Sequence, residues 1–146
     1  MNRYPTLKDF QQGAPQLHCQ YRTGIRDLYF QKCINDPRQK CKIFWFWGAT
    51  GTGKTRTAVE FAELFNLTYW ISGKDLTWFD GYEMNVVAII DDFRRNQIDF
   101  AYLLKLLDVY KHKVPIKGGF APWNPKYIFI TCPWSPQTLY SWKIQE

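Results

Sequence analysis

Long apolar runs, paired cysteines, histidine clusters, internal repeats and low-complexity tracts are all missing from this 146-residue chain. Its longest uninterrupted apolar stretches, Ile43 to Trp47 and Val86 to Ile90, fall far short of the roughly 20 residues a membrane-spanning helix needs, so no membrane partner is expected. Residues 1 to 13 lack the apolar stretch and small-residue cleavage site of a secretory signal, which makes a reducing interior the default. Cys19, Cys33, Cys41 and Cys132 form no Cys-x-x-Cys pair and have no histidine at zinc-finger spacing; they read as free, mostly buried thiols rather than a metal site. The two histidines are His18 and His112, and no arginine follows Arg95.

What is present is the makeup of one globular domain, with 46% hydrophobic and 22% charged residues. A net charge of +6 favours a polyanionic partner through counterion release, and fits an ordinary basic surface as well. Aromatics, at 18%, exceed what packing alone usually needs; they serve either the core or base stacking.

Along the chain, residues 1 to 22 mix Pro5, Gly13 and Pro15 with polar residues and show no period. They read as an irregular arm or linker remnant ahead of a domain spanning 23 to 146. Ile25, Leu28, Tyr29 and Cys33 recur at helical spacing until Asn35, Asp36 and Pro37 stop the helix. After a basic connector, Arg38 to Lys42, come a strand over 43 to 47, a helix from about Gly53 to Phe65 and a strand over 67 to 71. A turn-rich stretch runs from Ser72 to Tyr82, and the continuous apolar run from Val86 to Ile90 suits a strand buried on both faces of a parallel sheet. Ile98, Leu103, Leu104, Leu107 and Tyr110 mark a helix face, residues 112 to 125 form a hairpin around Gly118 and Gly119, and residues 127 to 131 form a last strand. Alternating strands and helices predict an α/β fold with a mostly parallel central sheet flanked by helices.

The chemistry gathers in Gly48, Ala49, Thr50, Gly51, Thr52, Gly53, Lys54 and Thr55, which match G-x-x-x-x-G-K-[ST]. Such a phosphate loop uses glycines to turn successive backbone N–H groups inward around phosphate oxygens, and a strand before it with a helix after it is the context it requires. Lys54 is expected to reach the β and γ phosphates and Thr55 to hold Mg²⁺ by its hydroxyl, with the helix N-terminus pointed at the triphosphate. Val86 to Ile90 delivers Asp91 and Asp92 at a strand end. Asp91 is the candidate metal residue, and Asp92 the candidate general base for the attacking water. Nothing resembles the arginine-rich lid and acceptor site of a small-molecule kinase. Adenine recognition stays open among Trp45, Trp78 and Tyr82.

The loop, the stretch Thr77 to Tyr82 (Thr-Trp-Phe-Asp-Gly-Tyr), Val86 to Phe93, Val114 to Phe120 and Tyr127 to Thr131 together resemble the superfamily 3 helicase domain, within the AAA+ class, of replication-associated (Rep) proteins from circovirus-like single-stranded DNA viruses. That resemblance implies a P-loop NTPase three-layer sandwich with a β-hairpin inserted before the last core strand. It also implies an ATP- and Mg²⁺-dependent motor that assembles as a homo-oligomeric ring, commonly a hexamer, moves along single-stranded DNA and works in the host nucleus. By the same likeness Lys117 on the hairpin contacts DNA, helped by Lys113 and His112.

Two departures stand out. Rep helicases end the last strand with Ser-Asn, whereas here Thr131 precedes Cys132 and Pro133, leaving Thr131 or Ser135 as the γ-phosphate sensor. The nicking domain's histidines and tyrosine and the arginine finger of the family also have no counterpart, which points to a fragment truncated at its C-terminus, or a split or degenerate copy, with slow turnover; Arg94 and Arg95 either reach a neighbour's site or are surface residues. The rival expectations are a nucleotide- and DNA-binding module with little turnover and an AAA+ ATPase acting on protein.

Overall fold

The computed structural model describes residues 7–34, 38 and 40–140. Met1 to Thr6, the stop at Asn35 to Pro37 and the segment Ser141 to Glu146 lie outside the described residues, as do the side chains of His18, Cys19 and Cys33. The chain forms two compact units, Met1–Pro37 and Arg38–Glu146.

The first unit holds α1 (Leu7–Gly13) and α2 (Pro15–Ile34), the latter broken by a non-helical Tyr21. The described part of the expected irregular arm is therefore helical. Gly13 and Pro15 act as boundary markers rather than as signs of disorder: glycine ends one helix, and proline at the first position, where no amide donor is needed, starts the next. The helix expected from Thr23 corresponds to the part of α2 that follows the break at Tyr21.

In the second unit the elements run β1 (Lys42–Trp47), α3 (Lys54–Leu64), β2 (Tyr69–Ile71), β3 (Val87–Ile90), α4 (Phe100–Leu107), β4 (His112–Ile116), β5 (Gly119–Trp123), β6 (Tyr127–Cys132) and α5 (Pro136–Leu139). Four strands pair in the order β1-β6-β3-β2, every neighbouring pair parallel. The result is a parallel sheet with flanking helices, as the alternation of strands and helices predicts. The last strand, β6, sits between the strand that feeds the loop and the strand that ends in the acids, pairing Thr131 with Phe46 and Ile130 with Ile90.

Burial explains the apolar runs. Val87 to Ile90 are fully buried, as only a central parallel strand can be. On one face of the sheet, Ala58 and Ala62 of α3 meet Val87, Ile89 and Phe129, with Phe44, Phe46 and Phe61 packed around them. Small residues on the helix let it approach the strands, and the Phe44 and Phe129 rings stack 4.8 Å apart.

A second aromatic group forms where the sequence reads only as turns. Phe79 and Tyr82 pack with Trp70 of β2 and Trp123 of β5, their ring centroids 4.8 to 6.1 Å apart. All four side chains are core, which decides for them between the two roles left open by composition.

Helix α4 is shorter than its apolar face suggests. Asp99 caps its start by accepting from the Tyr102 amide at 2.6 Å, which leaves Ile98 outside, and Asp108 is already extended. Arg38, from the basic connector, takes over its last carbonyls. One guanidinium nitrogen donates to Lys105 O at 3.2 Å and Tyr110 O at 2.8 Å, and the other donates to Leu106 O. A cation at a helix C-terminus also complements the helix dipole. Replacing Arg38 with Met is expected to leave these carbonyls without a donor and to lower stability by about 2 kcal/mol or more. A urea midpoint that falls with an unchanged slope checks this.

Candidate active site and basic hairpin

β1 runs into the loop at Gly48, and α3 starts at Lys54. Gly48, Gly51 and Gly53 have φ of +141°, +83° and +85°. A Cβ at any of them would meet nothing within 4 Å, so glycine is demanded there by backbone conformation and not by crowding. Gly53 caps α3 without any side-chain acceptor, which leaves the first-turn N–H groups and the positive end of the helix dipole for an anion. Lys54 Nζ folds back over the loop, donating to Gly48 O at 3.0 Å and Ala49 O at 2.8 Å.

Facing the loop is a cleft of about 320 Å³ bordered by Gly51, Gly53, Lys54, Thr55, Asp91, Asp92, Thr131 and Pro133. Thr55 Oγ1 donates to Asp91 Oδ1 at 2.5 Å, and Thr131 Oγ1 donates to the same oxygen at 3.0 Å. The Thr131 oxygen also accepts the Asp92 amide at 2.9 Å, while Ser72 Oγ accepts the Asp91 amide at 2.9 Å. Thr131 is 1% exposed and its hydroxyl is occupied on both sides. In this arrangement it orients Asp91. Ser135, the other sensor candidate, caps α5 by accepting from the Thr138 amide at 3.2 Å. Cys132 is buried, and burial pushes its thiol up, so it is protonated and unsuited to nucleophilic work.

Successive strand residues point to opposite faces, yet Asp91 and Asp92 both border the cleft. The φ of Asp92, +50°, is the reason: aspartate tolerates this left-handed backbone, and the turn brings its exposed carboxylate round to the same side. Arg94 holds that carboxylate at 2.8 Å, and its guanidinium lies 5.2 Å over the Trp134 ring. Nothing in the sequence singled out Ser72 or Arg38, whose contacts join separate elements; Arg94, a candidate for a neighbour's site, instead pairs locally with Asp92.

Of the three candidate base-stacking residues, Tyr82 is buried in the aromatic group, Trp78 is exposed, and Trp45 is half-buried with its ring edge-on to Phe93. Trp45 lines a second groove of about 360 Å³ with Trp47, Thr52, Lys54 and Thr57.

β4 and β5 pair antiparallel, with Ile116 opposite Gly119 and only Lys117 and Gly118 between them. Gly118 adopts φ +92° at this turn. The segment Trp78 to Tyr82 fastens the ribbon. Asp80 accepts the Lys117 amide at 2.7 Å and lies 3.8 Å from its ammonium, while the Phe79 amide donates to Pro115 O at 2.8 Å. Lys117 and Lys113 are exposed. His112 lies at the other end, opposite Trp123 and edge-on to Tyr102, its Nε2 buried without a hydrogen-bond partner. Burial first, then the Arg38 and Lys105 cations, pull its imidazole below the usual range. It is a neutral packing residue at pH 7, on the inner side of the ribbon and away from Lys117 at the turn.

No described helix is long and apolar enough to cross a membrane. Among the described residues no group of three His, Cys, Asp or Glu side chains could hold a metal by itself.

Such a parallel sheet, with the loop and the acids meeting at the ends of its strands, is compatible with an α/β fold of nucleotide-binding type. A family model described as RNA helicase matches residues 44–133. Over 141 residues the chain is 35% identical to the replication-associated protein of Human associated cyclovirus 1, covering 92% of this chain and 49% of that protein. It is 34% identical to that of Pigeon circovirus, covering 86% and 38%, and 30% identical to that of Beak and feather disease virus, covering 92% and 44%. The chain belongs to the superfamily 3 helicase-type family found in circovirus replication-associated proteins. It spans about half the length, or less, of these curated relatives.

Thr131→Val keeps the shape of the side chain but strips the Asp92 amide of its acceptor. It is expected to lose about 1–2 kcal/mol by chemical denaturation, with Thr131→Ser retaining most of the stability. For His112 the folded ring resists protonation while the unfolded ring protonates near pH ~6.5. Its contribution is therefore full above that pH and lost as pH falls below it. His112→Phe should flatten the decline of Tm between about pH 6.5 and more acid conditions.

Proposed function

We propose that this chain is the ATP-driven motor domain of a viral replication initiator, with the loop and Asp91 holding Mg²⁺–ATP and the β4–β5 hairpin holding single-stranded DNA. The observation that carries the reading is the meeting of Thr55 and Asp91 at the mouth of the loop. A hydroxyl and one carboxylate are hard oxygen donors, and Mg²⁺ in nucleotide sites is typically held by few protein oxygens together with phosphates and water. The residues therefore fit both the nucleotide and the metal.

Bound there, Mg²⁺–ATP supplies the γ-phosphoryl group and a cation that spreads its charge. The chain's own residues do the rest. The loop amides and the α3 N-terminus bind the phosphates, and the Lys54 ammonium exchanges its carbonyl acceptors for phosphate oxygens. Thr131 fixes the orientation of Asp91 from behind. Asp92, exposed at the cleft and steadied by Arg94, accepts the proton as water adds to phosphorus and the bond to ADP breaks. The products are ADP, phosphate and a proton.

For the complete motor we infer a homo-oligomeric ring, hexameric by the family likeness, acting on single-stranded DNA in the host nucleus, with Lys117 and Lys113 meeting backbone phosphates. Arg94 is engaged by Asp92 and Trp134 of its own chain, and no arginine follows Arg95. An arginine finger contributes roughly 10³ to 10⁵ in turnover, so this segment is expected to hydrolyse slowly. A second reading, a nucleotide- and DNA-binding module with little turnover, is favoured by Cys132 and Pro133, where neither side chain offers an amide.

Phosphate release by the full chain, with and without single-stranded DNA, separates these readings. Release is expected to be stimulated by DNA, to fall to background in Lys54→Ala and to fall at least about 100-fold in Asp92→Asn with nucleotide affinity kept. No release above the Lys54→Ala control would leave the binding module. Release indifferent to DNA would instead favour an ATPase acting on protein.

A further inference from the structure

The β4–β5 ribbon has two unlike faces. Val114, Ile116, Ala121 and Trp123 are at most 5% exposed. The alternate positions pair Lys113 with Pro122 and Pro115 with Phe120 across the strands. On that outer face Phe120 is 66% exposed. It follows the Lys117 to Gly119 turn, so a bare phenyl ring and an exposed ammonium stand within four residues of each other at the tip of the ribbon. Asp80 holds the turn by accepting the Lys117 amide, and Gly118 supplies the left-handed backbone the turn needs, at φ +92°.

Packing does not account for a ring kept this far in water on a strand whose inner positions are filled. A held aromatic beside cations is the chemistry that recognises unpaired nucleic acid: the cations track phosphates while the ring takes a base face. In a duplex the faces are already occupied by neighbouring bases, which selects single strands. We propose that Phe120 is a base-stacking residue for single-stranded DNA, with Lys117 and Lys113 on the flanking phosphates. This rests on the DNA-motor reading. Because every base has a π face, the contact carries little sequence preference; it adds grip that salt does not screen, alongside phosphate contacts that salt does screen.

The test is fluorescence anisotropy of the full chain with a labelled dT oligonucleotide and with an abasic oligonucleotide of the same length. Phe120→Leu, at an exposed position and still apolar, is expected to keep the wild-type far-ultraviolet circular dichroism. It should weaken dT binding about 10-fold while leaving abasic binding and the salt slope unchanged, and Phe120→Trp should restore the loss. Lys117→Ala should weaken both oligonucleotides and reduce the salt slope by about 1. If Phe120→Leu binds dT as wild type does, or weakens both oligonucleotides equally, the stacking role is overturned while the DNA reading stands. Wild-type protein that binds neither oligonucleotide would overturn both. Self-association without DNA that Phe120→Leu abolishes, with dT affinity intact, would assign the ring to a contact between copies and overturn the proposal.

Discussion

One carboxylate oxygen, Asp91 Oδ1, ties the site together. It accepts hydroxyl hydrogens from Thr55 at the start of α3 and from Thr131 at the end of β6, so a helix, the strand beside it and the strand beyond meet at a single atom. The sheet order makes this possible, because β6 lies between β1 and β3. Because β6 also pairs directly with β3, Thr131 stands beside the acid that ends that strand. Both threonines border the cleft, but they differ in burial: Thr131 is sealed into the sheet, whereas Thr55 is partly exposed.

Away from the cleft, one short segment serves both packing and function. Phe79 and Tyr82 anchor in the aromatic group with Trp70 and Trp123, and Asp80 between them reaches the hairpin turn. The apolar rings hold the segment still, and the carboxylate sets the position of Lys117. The pairing with Asp80 is long for an ion pair and largely exposed, so it stabilises little. Its contribution lies in the Asp80 contact to the Lys117 amide, which fixes the backbone at the turn.

How much of this was readable in advance follows from the range of each interaction. The loop was readable because glycine's access to positive φ is a property of single residues, and the central strand because burial on both faces leaves an unbroken apolar run. The face that Asp92 presents was not, since it depends on one left-handed backbone angle. Nor was Arg38, whose acceptors lie 67 to 72 residues away, or the use of Thr131 to orient Asp91, which requires the strand order. His112 sits close to Lys113 and Lys117 in sequence, yet burial against Tyr102 makes it a packing residue. In the first unit, Gly13 and Pro15 mark the join of two helices, a meaning that composition alone does not separate from disorder.

The central claim is that Asp91, oriented by two threonines, links the metal to a triphosphate held by the loop. The magnesium dependence of nucleotide affinity, measured by calorimetry on wild type and Asp91→Asn, tests it most directly. The account predicts that magnesium tightens binding to wild type and that the asparagine variant loses most of this gain while its metal-free affinity stays close to wild type. An equal gain from magnesium in both proteins would contradict it.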